Sequence, residues 1–320
     1  MESSSAPVAG IDYPRNMQEF DRIFADEEAC RSYLFRVRWP EGYRCSGCRK
    51  KTPPWVTSRG YLHCRLCGSE ISITSGTVFE RTRKPLRVWF QAMWLVTSQK
   101  HGASALGLQR VLGLGSYQTA WTWLHKLRRA MVRPGRERLH GSVEVDETYV
   151  GGEEKGGKRG RGTENKEVVV IAVEVLSPKG FGRIRMRRVP NVSGDSLVPF
   201  ICDVTEPGSE ILTDGWSGYN RLSEYGYKHV RSVLSQSGDP AHVAMPGVHR
   251  IAALLKRWML GIHQGAVSGK HLEYYLDEYT FRFNRRTSRS RGMLFYRLMQ
   301  QAVATTPTTY RQLVDGNHKI

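Results

Sequence analysis

The chain has 320 residues, enough for one sizeable core and one or two small modules. Lys and Arg number 48 against 30 Asp and Glu, a formal charge of +18 that points to a polyanionic partner such as nucleic acid. The longest apolar run, Val168 to Val173, is closed by Glu174, far short of the roughly 20 residues that span a membrane. Met1 to Gly10 lacks the charged start and apolar stretch of a secretory signal, so a cytoplasmic, nucleoid-associated protein without membrane contact is expected.

Residues 1–15, rich in Ser, Ala, Gly and Pro, read as a disordered N-terminus. Residues 16–80 read as a helix followed by a metal-bound ribbon. Met17, Phe20, Ile23 and Phe24, then Cys30, Tyr33 and Leu34, suit one amphipathic helix from Asn16 to Trp39. Cys45-x2-Cys48 and Cys64-x2-Cys67, with fifteen residues between the pairs, have the spacing of a four-cysteine zinc site. Gly47 and Gly68 let backbone amides turn toward the sulfurs. Four thiolates fill the tetrahedron of a structural Zn2+ and leave His63, next to Cys64, exposed. Arg44, Arg49, Lys50, Lys51, Arg59 and Arg65, beside Trp55 and Tyr61, suit either a solvated rim or a phosphate-contacting surface. Cys30 and Cys202 lack partner spacing and read as small buried residues.

Residues 81–135 read as three helices. Pro85 to Lys100 carries Trp89, Phe90, Met93, Trp94 and Val96, and Ser104 to Leu112 is split from Ser116 to Val132 by Gly113-Leu114-Gly115. Ser116 is a ready N-cap. The pattern fits a helix-turn-helix, although any small helical bundle shares it. In that reading Tyr117, Gln118, Thr119 and Thr122 enter the major groove, while His125, Lys126, Arg128 and Arg129 meet phosphates. Trp121, Trp123, Leu124 and Leu127 form the core.

Within residues 140–304 the period changes. Ser142 to Tyr149, Glu167 to Leu176 and Gly182 to Val189 read as strands, followed by a helix from Ser193 to Val204. Strands at Glu210 to Thr213 and Tyr227 to Val233 precede helices at Val248–Leu260, Ser268–Asn284 and Gly292–Ala304. This is an α/β domain, a mixed sheet covered by helices, with residues 305–320 as a tail. Asp146 and Asp214 each close an apolar strand, where two acids can share divalent metal ions. Glu144 lies on the face of Asp146 as a rival ligand, and Glu147 points the other way. Lys158, Arg159 and Arg161, in the glycine-spaced loop Lys155 to Gly162, suit a phosphate backbone or a solvated hairpin. Arg282, Arg285, Arg286, Arg289 and Arg291 form a second basic stretch, read as a backbone contact, while Phe281, Phe283, Tyr274 and Tyr275 read as core.

These blocks together resemble the ISXO-like group of bacterial insertion-sequence transposases. The resemblance is carried by the two cysteine pairs, Thr74-Ser75-Gly76-Thr77-Val78-Phe79, Tyr117-Gln118-Thr119-Ala120-Trp121 and Val145-Asp146-Glu147-Thr148-Tyr149-Val150-Gly151-Gly152. It continues through Thr213-Asp214-Gly215, Leu254-Leu255-Lys256-Arg257, Tyr275-Leu276-Asp277-Glu278-Tyr279 and Phe281-Arg282-Phe283-Asn284-Arg285-Arg286, in consistent order over roughly residues 20 to 300. The resemblance implies a ribonuclease H-like fold and a DDE-type site using Mg2+ or Mn2+. Asp146 and Asp214 match the first two positions. The third, seven residues before Lys256 on the same helix face, is His249, 35 positions after Asp214; Asp239 and Glu224 stand as alternatives. Neutral imidazole at that place favours Mn2+ over Mg2+. The implied activity is binding of terminal inverted repeats, metal-dependent strand cleavage and transfer to target DNA, by a homo-oligomer assembled on double-stranded DNA. The alternative is a DNA-binding regulator or degenerate copy without catalysis.

Overall fold

The computed structural model describes residues 6–133, 135–151, 166–232, 244–264 and 267–316. The chain forms two compact units, Met1–Arg133 joined by Ser288–Asn317, and Pro134–Thr287. No helix among the described residues is long and apolar enough to cross a membrane.

In the first unit, α1 (Met17–Ile23) starts at Asn16, whose side chain accepts the Glu19 amide at 2.9 Å. The single helix expected from Asn16 to Trp39 is two. Asp26 accepts the Ala29 amide at 2.8 Å and begins α2 (Glu27–Arg38), because a capping aspartate offers the backbone a new start. The stretch Ala6–Arg15, expected to be disordered, is held instead. The Val8 amide donates to the Asp12 carboxylate at 2.7 Å, Tyr33 donates its hydroxyl to the Asp12 carbonyl at 2.7 Å, and Tyr13 is buried. Three short antiparallel strands follow: β1 (Trp55–Val56), β2 (Tyr61–His63) and β3 (Glu70–Ser72). Arg38 clamps the next turn by donating to the carbonyls of Ile73 and Ser75, and Thr77 closes it with a 2.6 Å bond to the Thr74 carbonyl.

Helices α3 (Leu86–Ser98), α4 (Ala105–Leu112) and α5 (Tyr117–Ala130) complete the N-terminal part of this unit. Its core is aromatic. Phe24 lies 5.0 Å from Phe90 and 5.6 Å from Phe295, ring centre to ring centre. Phe295 belongs to a late helix, Arg291–Ala304, which the sequence reading assigned to the catalytic domain. The structure packs it into the first unit, where Gly292 sits so close to Pro14 that a Cβ there would lie 1.8 Å from the Pro14 carbonyl oxygen. Apolar periodicity shows that a helix face is buried but not which partner buries it.

The second unit is built on five strands. These are β4 (Ser142–Val150), β5 (Glu167–Val175), β6 (Phe181–Val189), β7 (Glu210–Asp214) and β8 (Lys228–Ser232). They lie in the order β6-β5-β4-β7-β8, with β4, β5 and β6 antiparallel neighbours and β7 and β8 parallel to β4. Strand β5 is covered on both faces, which is why its sequence is a continuous apolar run rather than an alternation. One face carries α6 (Gly194–Val204) and a 3-10 segment, Ser217–Tyr225; the other carries α7 (Pro246–His263) and α8 (Leu272–Phe283). The late helix at Arg291–Ala304 is α9, and α10 (Tyr310–Val314) follows with Leu313 buried.

The free edge of β6 is closed by side chains. Asn284 accepts the Ile184 amide at 2.8 Å and donates to the Ile184 carbonyl at 3.2 Å, as a neighbouring strand would. Glu273 accepts the Arg188 amide at 2.7 Å, and Arg286 donates to the carbonyls of Phe181 and Gly182. An exposed sheet edge invites pairing with another chain, and these contacts occupy it.

Candidate catalytic and metal-binding sites

Cys45, Cys48, Cys64 and Cys67 converge from the two turns at the ends of the ribbon, all four sulfurs within 4.8 Å of one another. Sγ of Cys45 lies 3.6 Å from Cys67, and that of Cys48 lies 3.8 Å from Cys64. Tetrahedral zinc with Zn–S bonds of about 2.3 Å separates its sulfurs by roughly 3.8 Å, so the cluster fits the ion. Amides of Cys48 and Gly47, the latter 3.3 Å from the sulfur, draw the Cys45 thiol down to about 6 against its desolvation. His63 is half-buried rather than exposed, its Nδ1 3.2 Å from Glu70 and its ring beside Trp55, and it is not part of the cluster.

In the second unit β4 and β7 run parallel, with Glu144 opposite Leu212. Asp146 lies two residues beyond Glu144 in the middle of β4, and Asp214 two residues beyond Leu212 at the end of β7. By strand alternation both side chains share the face of Glu144 and Leu212, the face covered by α7. Each carboxylate is steadied by a nearby amide: Glu147 N–H donates to Asp146 at 2.9 Å, and Trp216 N–H to Asp214 at 3.0 Å. Two half-buried carboxylates on one sheet face are hard oxygen donors of the kind Mg2+ and Mn2+ take. Among the described residues, though, the four cysteines are the one group compact enough to hold an ion as it stands.

Glu144 is the residue that ties α7 to this sheet. It is buried, accepts the Val248 amide at 2.9 Å, and sits where a Cβ on Gly247 would approach to 2.7 Å. Burial lifts its carboxyl above the ordinary range, against the lowering by the Val248 and Gly247 amides. The expected rival ligand therefore serves as the anchor of the helix start, one residue before His249. Lys256 lies two turns along α7, its ammonium lowered first by partial desolvation and then by the like charge of Lys166. Glu224 is bonded to Arg221 at 3.1 Å in the 3-10 segment, and Asp239 lies outside the described residues.

Sequence reasoning passed over Tyr219. It is fully buried, and its hydroxyl donates to Glu147 at 2.8 Å on the sheet face opposite α7. Burial first, then the charges of Glu147, Asp146 and Asp214, hold its phenol well above the usual range, so it remains a donor. The one sequence signal was its place five residues after Asp214, behind Gly215-Trp216.

In the first unit Ser116 accepts the Thr119 amide at 3.1 Å and starts α5, while Gly113, at φ +60°, ends α4 in the left-handed region. Tyr117 and Gln118 are exposed at that start, and Thr119 is half-buried. Trp89 stacks on Trp123 at 3.7 Å and fixes α5 to α3. Arg128, expected to meet phosphate, departs from that expectation. It is 2% exposed, its guanidinium 3.4 Å from Nε2 of the equally buried His125, on the face of α5 that also buries Leu124 and Leu127. Arg129 is half-buried, and Lys126 is partly desolvated. Lys158, Arg159 and Arg161 lie outside the described residues. The late basic stretch is partly structural, since Arg282 pairs with Glu278 at 2.8 Å and Arg286 serves the β6 edge.

Comparison with known proteins bears on these sites. Residues 138–284 match the ISXO2-like transposase domain, and residues 25–70 match a transposase zinc-ribbon domain. The chain is 28% identical over 281 residues to a protein in transposable element ISH50 of Halobacterium salinarum, covering 82% of this chain and 92% of that one. It is 27% identical over 112 residues to a transposase-like protein of Haemophilus influenzae, covering 35% of this chain and 89% of that one.

Proposed function

We propose that the chain, whose residues 138–284 match the ISXO2-like transposase domain, is a transposase that binds the terminal inverted repeats of its element and cuts and joins DNA at Asp146 and Asp214. The observation that supports this reading is that the two strands bearing Asp146 and Asp214, β4 and β7, run as parallel neighbours under the helix that bears His249 and Lys256. The strand order β6-β5-β4-β7-β8, three antiparallel strands then two parallel, supports a ribonuclease H-like core.

Asp146 and Asp214 would hold Mg2+ or Mn2+, with His249 as third ligand through neutral imidazole. Divalent ions there supply neutralisation of phosphate charge and activation of the attacking hydroxyl. The residues of the chain do the rest. Asp146 and Asp214 are set by the sheet, and their amide contacts fix where each carboxylate points. Glu144 pins the start of α7, and with it the height of His249 above the sheet. Lys256 offers its cation to a nonbridging phosphate oxygen. Water attack frees a 3′-hydroxyl, which then attacks target DNA by the same in-line displacement, so no serine or tyrosine becomes joined to DNA.

The zinc ribbon and the pair α4–α5 serve as the DNA-binding part. Tyr117, Gln118 and Thr119 read the major groove in the manner of a helix-turn-helix, and Arg129 with the basic ribbon rim neutralises backbone phosphate. Lys158, Arg159 and Arg161 contact phosphate near the cut, and the protein acts as a homo-oligomer on its two ends. The test is binding and cleavage of a duplex carrying one element end against a scrambled duplex, with Mg2+ and with chelator. Selective binding with cutting only in metal supports the proposal. Selective binding without cutting makes the protein a regulator or degenerate copy, and equal weak binding to both duplexes removes the DNA-reading role.

A further inference from the structure

Tyr219 and Glu147 lie behind the two aspartates, on the opposite face of the sheet, and nothing in the chemistry above uses them. Glu147 follows Asp146 directly on β4. Tyr219 follows Asp214 by five residues, in a turn that leaves no slack. The Asp214 carboxylate accepts the Trp216 amide at 3.0 Å, the Trp216 indole donates to the Val192 carbonyl at 2.7 Å, and the Tyr219 amide donates to the Trp216 carbonyl at 3.2 Å. Gly218 is wedged between: a Cβ there would lie 2.7 Å from the Val192 carbonyl oxygen and 2.9 Å from the Trp216 indole nitrogen. The ring of Tyr219 is fully buried in the core under α6, so its hydroxyl has one fixed position, 2.8 Å from Glu147.

We propose that the Tyr219–Glu147 hydrogen bond is a positioning tie that joins the residue beside Asp146 to the turn that holds Asp214, and so sets the spacing of the two carboxylates for divalent metal. The pairing of β4 with β7 runs to Glu144 and Leu212, two residues short of the aspartates. The tie is a side-chain contact beyond that point, between β4 one residue after Asp146 and the turn that follows Asp214. A side chain in this place acts through geometry: it touches neither metal nor DNA, and it needs only a donor on residue 219 and an acceptor on residue 147.

This inference rests on the reading of Asp146 and Asp214 as metal ligands, and its test separates the two. Full-length protein is titrated with Mn2+, followed by calorimetry and by Mn2+ electron paramagnetic resonance. Single-turnover cleavage and affinity for the uncut element end are measured alongside. Tyr219→Phe keeps the buried ring and removes the hydroxyl. The expected result is Mn2+ affinity at least fivefold weaker and cleavage at least tenfold slower, with DNA affinity unchanged. Glu147→Leu should reproduce that loss, and Glu147→Gln, whose amide oxygen still accepts, should restore Mn2+ affinity to within about twofold of the parent. A merely structural tyrosine would alter the melting midpoint and leave Mn2+ affinity alone. Wild-type Mn2+ affinity in Tyr219→Phe overturns the tie, as does a Glu147→Gln protein as impaired as Glu147→Leu, which would make the charge the working part. Asp146→Asn is the reference. If it binds Mn2+ and cuts as the parent does, the metal-site reading falls and the tie with it; if it alone loses metal, only the tie is wrong.

Discussion

Removing Glu144 should loosen the second unit and lower α7 onto a worse position. The carboxylate is 2% exposed and accepts the Val248 amide at 2.9 Å at the start of an eighteen-residue helix. Losing a hydrogen bond to a charged acceptor costs about 1.5–3 kcal/mol, and an anion at a helix N-terminus adds about 0.3–1 kcal/mol. Desolvation outweighs that gain for the charged form, since the carboxyl is raised. The loss in Glu144→Ala is therefore set by the buried Val248 amide left without its acceptor, about 1–3 kcal/mol. At about 2–4 °C of midpoint per kcal/mol in a unit of this size, a loss of roughly 2 kcal/mol lowers the midpoint by roughly 4–8 °C. The sign of the pH dependence follows from the raised value. A carboxyl raised above its ordinary 4.5 favours the folded state when protonated, so its contribution is complete below that value and is lost as pH climbs through the folded one. Glu144→Gln keeps an acceptor for Val248 but cannot titrate. Thermal and urea unfolding from pH 4 to 8 should therefore show the parent gaining on Glu144→Gln as pH falls, while Glu144→Ala lies below both. A Glu144→Ala protein melting within 1 °C of the parent, or a parent that gains on Glu144→Gln as pH rises, would refute this account of α7.

Three further outcomes follow. Cys64→Ser, or exhaustive chelation, should release zinc, abolish the ordered signals of the ribbon strands in NMR and weaken DNA binding, while the far-UV signal of the second unit persists. Arg129→Ala should reduce the slope of log K against log salt by about 1, whereas buried Arg128→Met should change the unfolding midpoint and leave that slope alone. Asn284→Ala strips the β6 edge of its partner at Ile184, and chemical unfolding should show a loss of about 1–3 kcal/mol.

Much of this architecture could be read from residue pattern. The cysteine spacing announced a thiolate cluster because metal geometry demands short, matched turns, and the shift from helical to alternating period marked where the sheet begins. Asp214 closes β7, as its place after an apolar run suggested, but Asp146 lies in the middle of β4, which continues to Val150, because pairing with β5 carries the strand past the carboxylate. What escaped were relations between distant segments. The face of α9 was visible as apolar, yet only the fold brings Phe295 to Phe24 and Phe90. Arg128 looked like a surface charge because sequence shows charge and not the side of α5 on which it falls beside His125. Glu144 read as a rival ligand because alternation gave its face but not its partner, an amide 104 residues away. Asn284 read as the end of a helix and Arg286 as part of a DNA-backbone contact, and their use as a substitute strand depends on where β6 ends the sheet.

The central claim is that Asp146 and Asp214 form one metal-dependent cutting site, and the most direct measurement is single-turnover appearance of a 3′-hydroxyl at the element end in Mg2+ or Mn2+. It should be made on parent, Asp146→Asn and Asp214→Asn proteins at equal DNA occupancy. The account predicts a thousandfold or greater loss, about 4 kcal/mol of barrier, in each variant, with element-end affinity retained. Parent-rate cleavage by either variant would contradict it.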